Sequence, residues 1–194
     1  MTRPAPISTV SLIDLETVWL SDQSKTISYF SKKTPVRVGA ELIRELKQIA
    51  EQTKKNVRLC LHLNPDAPFH EMIILEHAEK YYRPHKHLEK GESYHIIEGS
   101  LAIFTFSEDG KITDRCLLSA QGDLIYRIGS NVYHAIMPQS KFVIYHESKP
   151  GPFNGKNDSL YAAWAPDGMD QQENDKFNQK LLDALEPLME PVKK

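Results

Sequence analysis

Cysteine is nearly absent. Cys60 and Cys116 are the two in 194 residues, and their separation fits neither a zinc-ligand pair nor a redox C-x-x-C. A disulfide between them stays open at this level, although a chain this long can bury a sufficient core without one. An excess of charge of either sign is also missing. Lys and Arg total 24 against 26 Asp and Glu, a formal net charge of -2, with no long run of either sign. That balance argues against a nucleic-acid partner, which normally needs a basic face or stripe. No apolar run approaches the length of a membrane span, and the opening MTRPAPISTV lacks a signal-peptide core. The expectation is a cytoplasmic protein with no membrane partner.

Helical periodicity is confined to the ends. From Glu41 to Thr53, Leu42, Leu46, Ile49 and Ala50 fall on one face, and Gly39 stands where a helix would start. A second helix is predicted from about Gln171 to Leu185, with Phe177, Leu181, Leu182 and Leu185 as its apolar face and packing on the barrel exterior or on a second subunit. The closing PVKK reads as frayed. The apolar patch from Leu12 to Leu20 is compatible with a short helix or a strand.

Between Val57 and about Ser148 the period becomes two. Short segments such as VRLCLHL, EMIILEHA, SYHIIEG, SLAIFTF and FVIYHES recur, separated by turn signals such as Asn64-Pro65-Asp66, Asp109-Gly110 and Gly129-Ser130-Asn131. About eight closely spaced strands with no helix between them indicate an all-β sandwich or barrel. Residues 1–55 read as an N-terminal extension with one helix, 56–166 as the barrel and 167–194 as a C-terminal helix and tail, one domain overall.

The chemistry concentrates in YYRPHKHLEKGESYHIIEGSLAIF, residues 81–104. Residues two apart on a strand share a face, so His85 and His87 project together. Glu92 follows after a stretch long enough to turn into a neighbouring strand and return a carboxylate to the same centre. Two imidazoles and a carboxylate form a facial set that leaves metal positions open. Gly99 suits the sharp hairpin into the next strand. His134, after the Gly/Ser/Asn turn, is a fourth candidate, pointing inward with Val132 and Ile136.

The pattern H-x-H-x4-E-x6-G over 85–99, with Gly122 and His134 further on, resembles the two motifs of the cupin superfamily. The second motif departs from the family pattern, with Gly129-Ser130-Asn131 where Pro-x-Gly is usual and one extra residue after Gly122. The chain is most similar to the WbuC-type cupin metalloproteins, through RPHKH, ESYHIIEG, SEDGKIT, ESKPGPF, AWAP and the preceding LHLNPDAPFHEM. The resemblance implies an RmlC-like double-stranded β-helix, a jelly-roll barrel with flanking helices, and one divalent metal ion on His85, His87, Glu92 and His134. Iron, manganese, zinc, nickel or cobalt would each suit such a set. The resemblance also implies an association with surface-polysaccharide metabolism but no defined reaction.

Around that centre, Arg83, Glu147 and Lys149 are candidates for binding a small-molecule substrate. Arg83 shares the face of His85 and His87, and either binds an anionic group or pairs with Glu147. Glu147 and Lys149 share a strand face, lining the barrel mouth or forming a salt-bridged strand end. Tyr94 and Tyr126 read as core aromatics more than pocket walls, and Trp164 as a packing anchor. His95 should face away from the metal by alternation from Glu92. His62, His70 and His77 read as ordinary polar residues, with His62 the one to watch. Two functions follow: a metal-dependent isomerase, epimerase or oxygenase acting on a small polar substrate, which the resemblance implies is sugar-derived, or a non-catalytic metal-containing module that binds a saccharide or a partner. Exposed sheet edges make a homodimer the expected assembly.

Overall fold

The computed structural model describes residues 10–21, 26–78 and 80–189; the side chains of Lys156 and of 187–189 fall outside that description, as does PVKK. Among the described residues the strands are β1 Val18–Ser21, β2 Thr26–Ser31, β3 Asn56–Cys60, β4 Phe69–His77, β5 His85–Lys86 and β6 Glu92–Glu98. They continue as β7 Ser100–Phe106, β8 Ile112–Ser119, β9 Ile125–Ile128, β10 Tyr133–Pro138, β11 Phe142–Pro150 and β12 Leu160–Tyr161. The helices are α1, Ala40–Thr53, and α2, Gln171–Met189.

The strands form a large sheet in the order β1-β2-β3-β4-β11-β6-β9 and a small one in the order β12-β5-β10-β7-β8. From β4 to β11 the chain passes repeatedly between them, so that β4-β11-β6-β9 faces β5-β10-β7-β8. That strand order is a jelly roll, built of two Greek keys. The all-β cupin-type barrel with flanking helices expected from the sequence is therefore the observed architecture.

Alternation sorts the apolar side chains into three packed layers. α1 lays Leu42, Leu46 and Ala50 on the outer face of the large sheet, against Val57, Leu59, Ile73, Leu75 and Ile144. The barrel interior holds Met72, Ile74, Ile96, Leu101, Ile103, Leu118 and Val143 between the sheets. α2 covers the outer face of the small sheet, where Leu181 and Leu185 meet Phe104, Phe106 and Met137. Trp164 anchors that layer, its ring 5.1 Å from Phe106 and 5.7 Å from Tyr133.

Several boundaries differ from the sequence reading. The extension before residue 56 contributes two strands besides its helix, and the Leu12–Leu20 patch ends in β1. β2 runs parallel to β3, with α1 as the crossover between them. β3 stops at Cys60, short of the VRLCLHL run, because 61–66 turns over into β4. α2 continues past Leu185 to Met189, and Leu182 is at the surface, 36% exposed, because it lies beside the buried Leu181–Leu185 stripe. Cys60 and Cys116 are both buried free thiols. Gly99 turns β6 into β7 at φ +82°, and a Cβ there would stand 2.8 Å from the Phe142 carbonyl oxygen.

Candidate metal centre and cavity

β5 is two residues long but sets the site. His85 pairs with His134 of β10 across the small sheet, and their rings approach to 4.5 Å. His87, two residues on, has its ring 5.3 Å from His85, while the intervening Lys86 turns away to Glu108 and the Tyr133 ring. Glu92 opens β6 on the opposite sheet and faces the three imidazoles. His85, His87, Glu92 and His134 each offer one ligand atom, all within 4.8 Å of one another, so the four fit a metal site. The departure from the family turn does not displace His134: Asn131 takes φ 59° and its N–H donates to the His87 carbonyl, tying the two ligand segments together.

The hydrogen bonds of the imidazoles fit a metal. Each Nδ1–H donates to a main-chain carbonyl: His85 to Arg83, His87 to Asp158 and His134 to Val132. That arrangement fixes the tautomer and turns the Nε2 lone pairs to the centre. The Nε2 atoms of His87 and His134 are buried without a hydrogen-bond partner, although they lie 3.3 and 2.6 Å from the Glu92 oxygens. Inward lone pairs facing a carboxylate are what a divalent cation satisfies. Burial, with His134 adding, pushes His85 down to about 3, so it stays neutral as a ligand must. Burial works against the Glu92 charge, but the adjoining His134 and His87 rings, with Lys149, hold its carboxyl well below the usual range.

The cluster opens on a cavity of about 830 Å³ that also receives Arg83, Glu147 and Lys149. Lys149 lies 3.0 Å from Glu147 and 3.6 Å from Glu92. Burial opposes its charge, yet attraction to Glu147 and then Glu92 raises its pKa above the ordinary lysine value. Lys149 thus takes the place on Glu147 that the sequence left open for Arg83. Arg83 instead donates to the Ala162 carbonyl at 3.0 Å and stacks 5.3 Å over the Tyr161 ring, while its Nε is buried without a partner.

Sequence reasoning ranked one participant as core and left others unassigned. Tyr94, read as core, is buried but also lines the cavity and donates to Glu92 Oε1. Alternation along β11 from Glu147 would have placed Tyr145 on the same inner face. Glu76 lines the cavity with no equivalent signal in the sequence. Burial, then the charge of Glu147, pushes its carboxyl up to about 8 against a lowering hydrogen bond from Tyr145. Asp158 lies behind His87; its Oδ1 accepts from the Asn154 N–H and from Lys90.

Residues expected elsewhere are elsewhere. His95 is exposed on the outer face. His62 and His70 stack 4.1 Å apart outside the cluster, and His62 Nδ1 accepts the Glu71 N–H at 3.2 Å. Tyr126 donates to Asp114.

A family described only as a domain of unknown function, DUF6016, matches residues 38–118. No curated protein matches the chain. Among solved structures, the chain is similar to L-ribose isomerase of Cellulomonas parahominis bound to L-psicose, at 15% identity and TM-score 0.46, covering 61% of this chain and 73% of that one. It is similar to the capsular polysaccharide assembling protein CapF of Staphylococcus aureus, at 14% identity and TM-score 0.46, covering 54% and 31%. It is also similar to the Cnp3 cupin domain of Schizosaccharomyces pombe, at 13% identity and TM-score 0.39, covering 49% and 64%. The match spans less than two thirds of the CapF and Cnp3 chains.

Proposed function

We propose that this protein is a metal-dependent enzyme acting on a small, polar, oxygen-rich molecule. One observation carries the reading: His85, Glu92 and His134 of the four-residue cluster line a cavity that Arg83, Glu147 and Lys149 also line. His85, His87, Glu92 and His134 would hold one divalent ion, whose Lewis acidity serves isomerase or epimerase chemistry at a carbonyl, or oxygenase chemistry when the ion is iron. The chain's own groups then divide the remaining work. Arg83 presents its unpartnered Nε to an anionic or carbonyl oxygen of the ligand. Lys149, held protonated between Glu147 and Glu92, places a fixed positive charge beside the same face. Tyr94 orients the Glu92 carboxylate through its hydroxyl.

The finer placement among WbuC-type proteins, with a sugar-derived substrate linked to surface polysaccharides, belongs to the same proposal and rests on RPHKH, ESYHIIEG and AWAP. The homodimer, a cytoplasmic location and the division into 1–55, 56–166 and 167–194 are part of the same proposal. The first test is elemental analysis of untagged protein beside His87→Ala. About one equivalent of metal per chain, lost in the variant, supports the reading. No metal in either protein after reconstitution with several divalent ions overturns it. Stoichiometric metal without turnover of any sugar or nucleotide-sugar favours the non-catalytic binding module.

A further inference from the structure

The cavity has a second polar end, away from the metal cluster, whose chemistry differs from the first. Glu76, the penultimate residue of β4, points into the barrel two positions beyond Ile74, and Ile74 pairs with Tyr145 of β11. Its Oε2 is buried and has no hydrogen-bond partner. Tyr145, itself fully buried, is hydrogen-bonded to the same carboxyl. Leaving a buried polar atom unmatched is costly, so its persistence in a cavity wall marks a position where something else supplies the partner.

Glu76 is faced by Glu147 and Tyr145 from β11, by Arg58 from β3, and by Lys80 and Tyr82 from the segment after β4. Arg58 is engaged with the Ser28 hydroxyl at 2.8 Å, and Tyr82 donates to the His77 carbonyl while accepting from Asn56. Glu147 is paired with Lys149 at 3.0 Å, yet its charge still reaches Glu76 and helps raise the carboxyl. With its carboxyl raised to about 8, Glu76 is mainly protonated at neutral pH. A protonated carboxyl offers one donor and one acceptor, the same complement as an alcohol.

We infer that Glu76 and Tyr145 form a recognition subsite for an uncharged hydroxyl of a polyhydroxylated ligand, with the Glu76 carboxyl as hydrogen-bond donor. The inference rests on the proposed function, which supplies a ligand whose other end lies at the metal face. It adds the chemical class of that ligand's far end. A carboxylate placed there would meet the charge of Glu147 and is rejected; a neutral sugar chain is accepted. Glu76 is thus a specificity-determining residue for a neutral, sugar-like molecule over its acidic counterpart.

The test uses the full chain, loaded with zinc and also metal-free. Binding of neutral pentoses and hexoses, and of uronates of the same carbon skeleton, is measured at pH 6 and pH 9 by saturation-transfer NMR and calorimetry. The variants are Glu76→Gln, which keeps a neutral donor and acceptor, and Glu76→Leu, which removes both. The expected result is preferential binding of a neutral sugar, weakened at pH 9 in the wild type. Glu76→Leu loses affinity about tenfold, as expected for one lost hydrogen bond to an otherwise unsatisfied group. Glu76→Gln stays within threefold of wild type at pH 6 and no longer weakens at pH 9. Equal loss in the Gln and Leu variants would show that the carboxylate is needed, and overturns the inference. So does tighter binding of the uronates, or no binding of any neutral sugar with or without metal. Metal content is assayed on each sample, so failure of the metal site reads separately from failure of this subsite.

Discussion

His85 and His134 are direct partners across the β5–β10 ladder, and each donates its Nδ1 proton to the main-chain carbonyl of the residue two positions earlier in its own segment. The two strands therefore present matched imidazoles as part of the backbone register. Replacing either by Ala should lower metal affinity by more than about 100-fold, beyond the 10–100-fold typical of an outer-shell loss. His95→Ala, at an exposed position on the outer face, should leave affinity unchanged. Competition against a fluorescent chelator measures all three.

Metal should raise thermal stability, because the cluster joins opposite sheets and exists only in the folded chain. At a free metal concentration 100 times the dissociation constant, linkage gives about 2.7 kcal/mol. For a chain of this size that corresponds to roughly 5–10 °C. Differential scanning fluorimetry should show the shift in wild type, its reversal by EDTA, and its absence in His87→Ala. A shift that survives in His87→Ala would mean the ion binds elsewhere.

Asp158 supports the centre from behind His87. Its main-chain carbonyl accepts the imidazole proton, and its side chain knots 150–158 by holding Lys90 and the Asn154 N–H. Asp158→Ala frees that segment without touching a ligand side chain. Metal affinity should fall by about tenfold, with the fold retained by circular dichroism. Lys90→Ala should reproduce part of the loss.

Glu76 also governs a pH dependence of stability. Its folded pKa of about 8 lies above the ordinary 4.5, so between those values the folded chain holds more protons than the unfolded one. The contribution is fully present below pH 4.5 and is lost as pH rises through about 8. Urea denaturation of metal-free protein should show Glu76→Gln gaining stability on wild type between pH 6 and 9, the gap widening upward. A parallel pair of curves would mean that Glu76 titrates normally.

The contrast between Glu92 and Glu76 shows what the sequence makes legible. Glu92 follows a two-residue repeat of histidines and precedes a glycine at a hairpin, so its direction can be deduced from local spacing. Glu76 sits in EMIILEHA, where a buried central strand is apolar on both faces and alternation carries no information. Whether that carboxylate faces the interior or the α1 side depends on pairing with β11, some seventy residues later. β2 was hidden for a related reason: its partner β3 lies beyond α1, and TISYFS alone has no turn signal tying it to the barrel. Asp158 reaches His87 through its backbone, and a carbonyl has no signature in sequence. The barrel was legible from period-two spacing, and the His85, His87, Glu92 and His134 cluster from that spacing together with the cupin-like motifs. The cavity's far end was not, because it is assembled from side chains whose facing is decided by long-range register.

With all three Nδ1 protons committed to main-chain carbonyls, the imidazoles have no free rotation by which to release an ion one bond at a time. Release by swinging a ligand aside would require β5 to part from β10, or the 150–158 segment to lift from His87. Those are openings of the sheet or of a loop, slower than side-chain rotation. The exchange rate of the ion would then be set by breathing of the protein, and a site of only ordinary affinity would still keep its metal through a gel-filtration column.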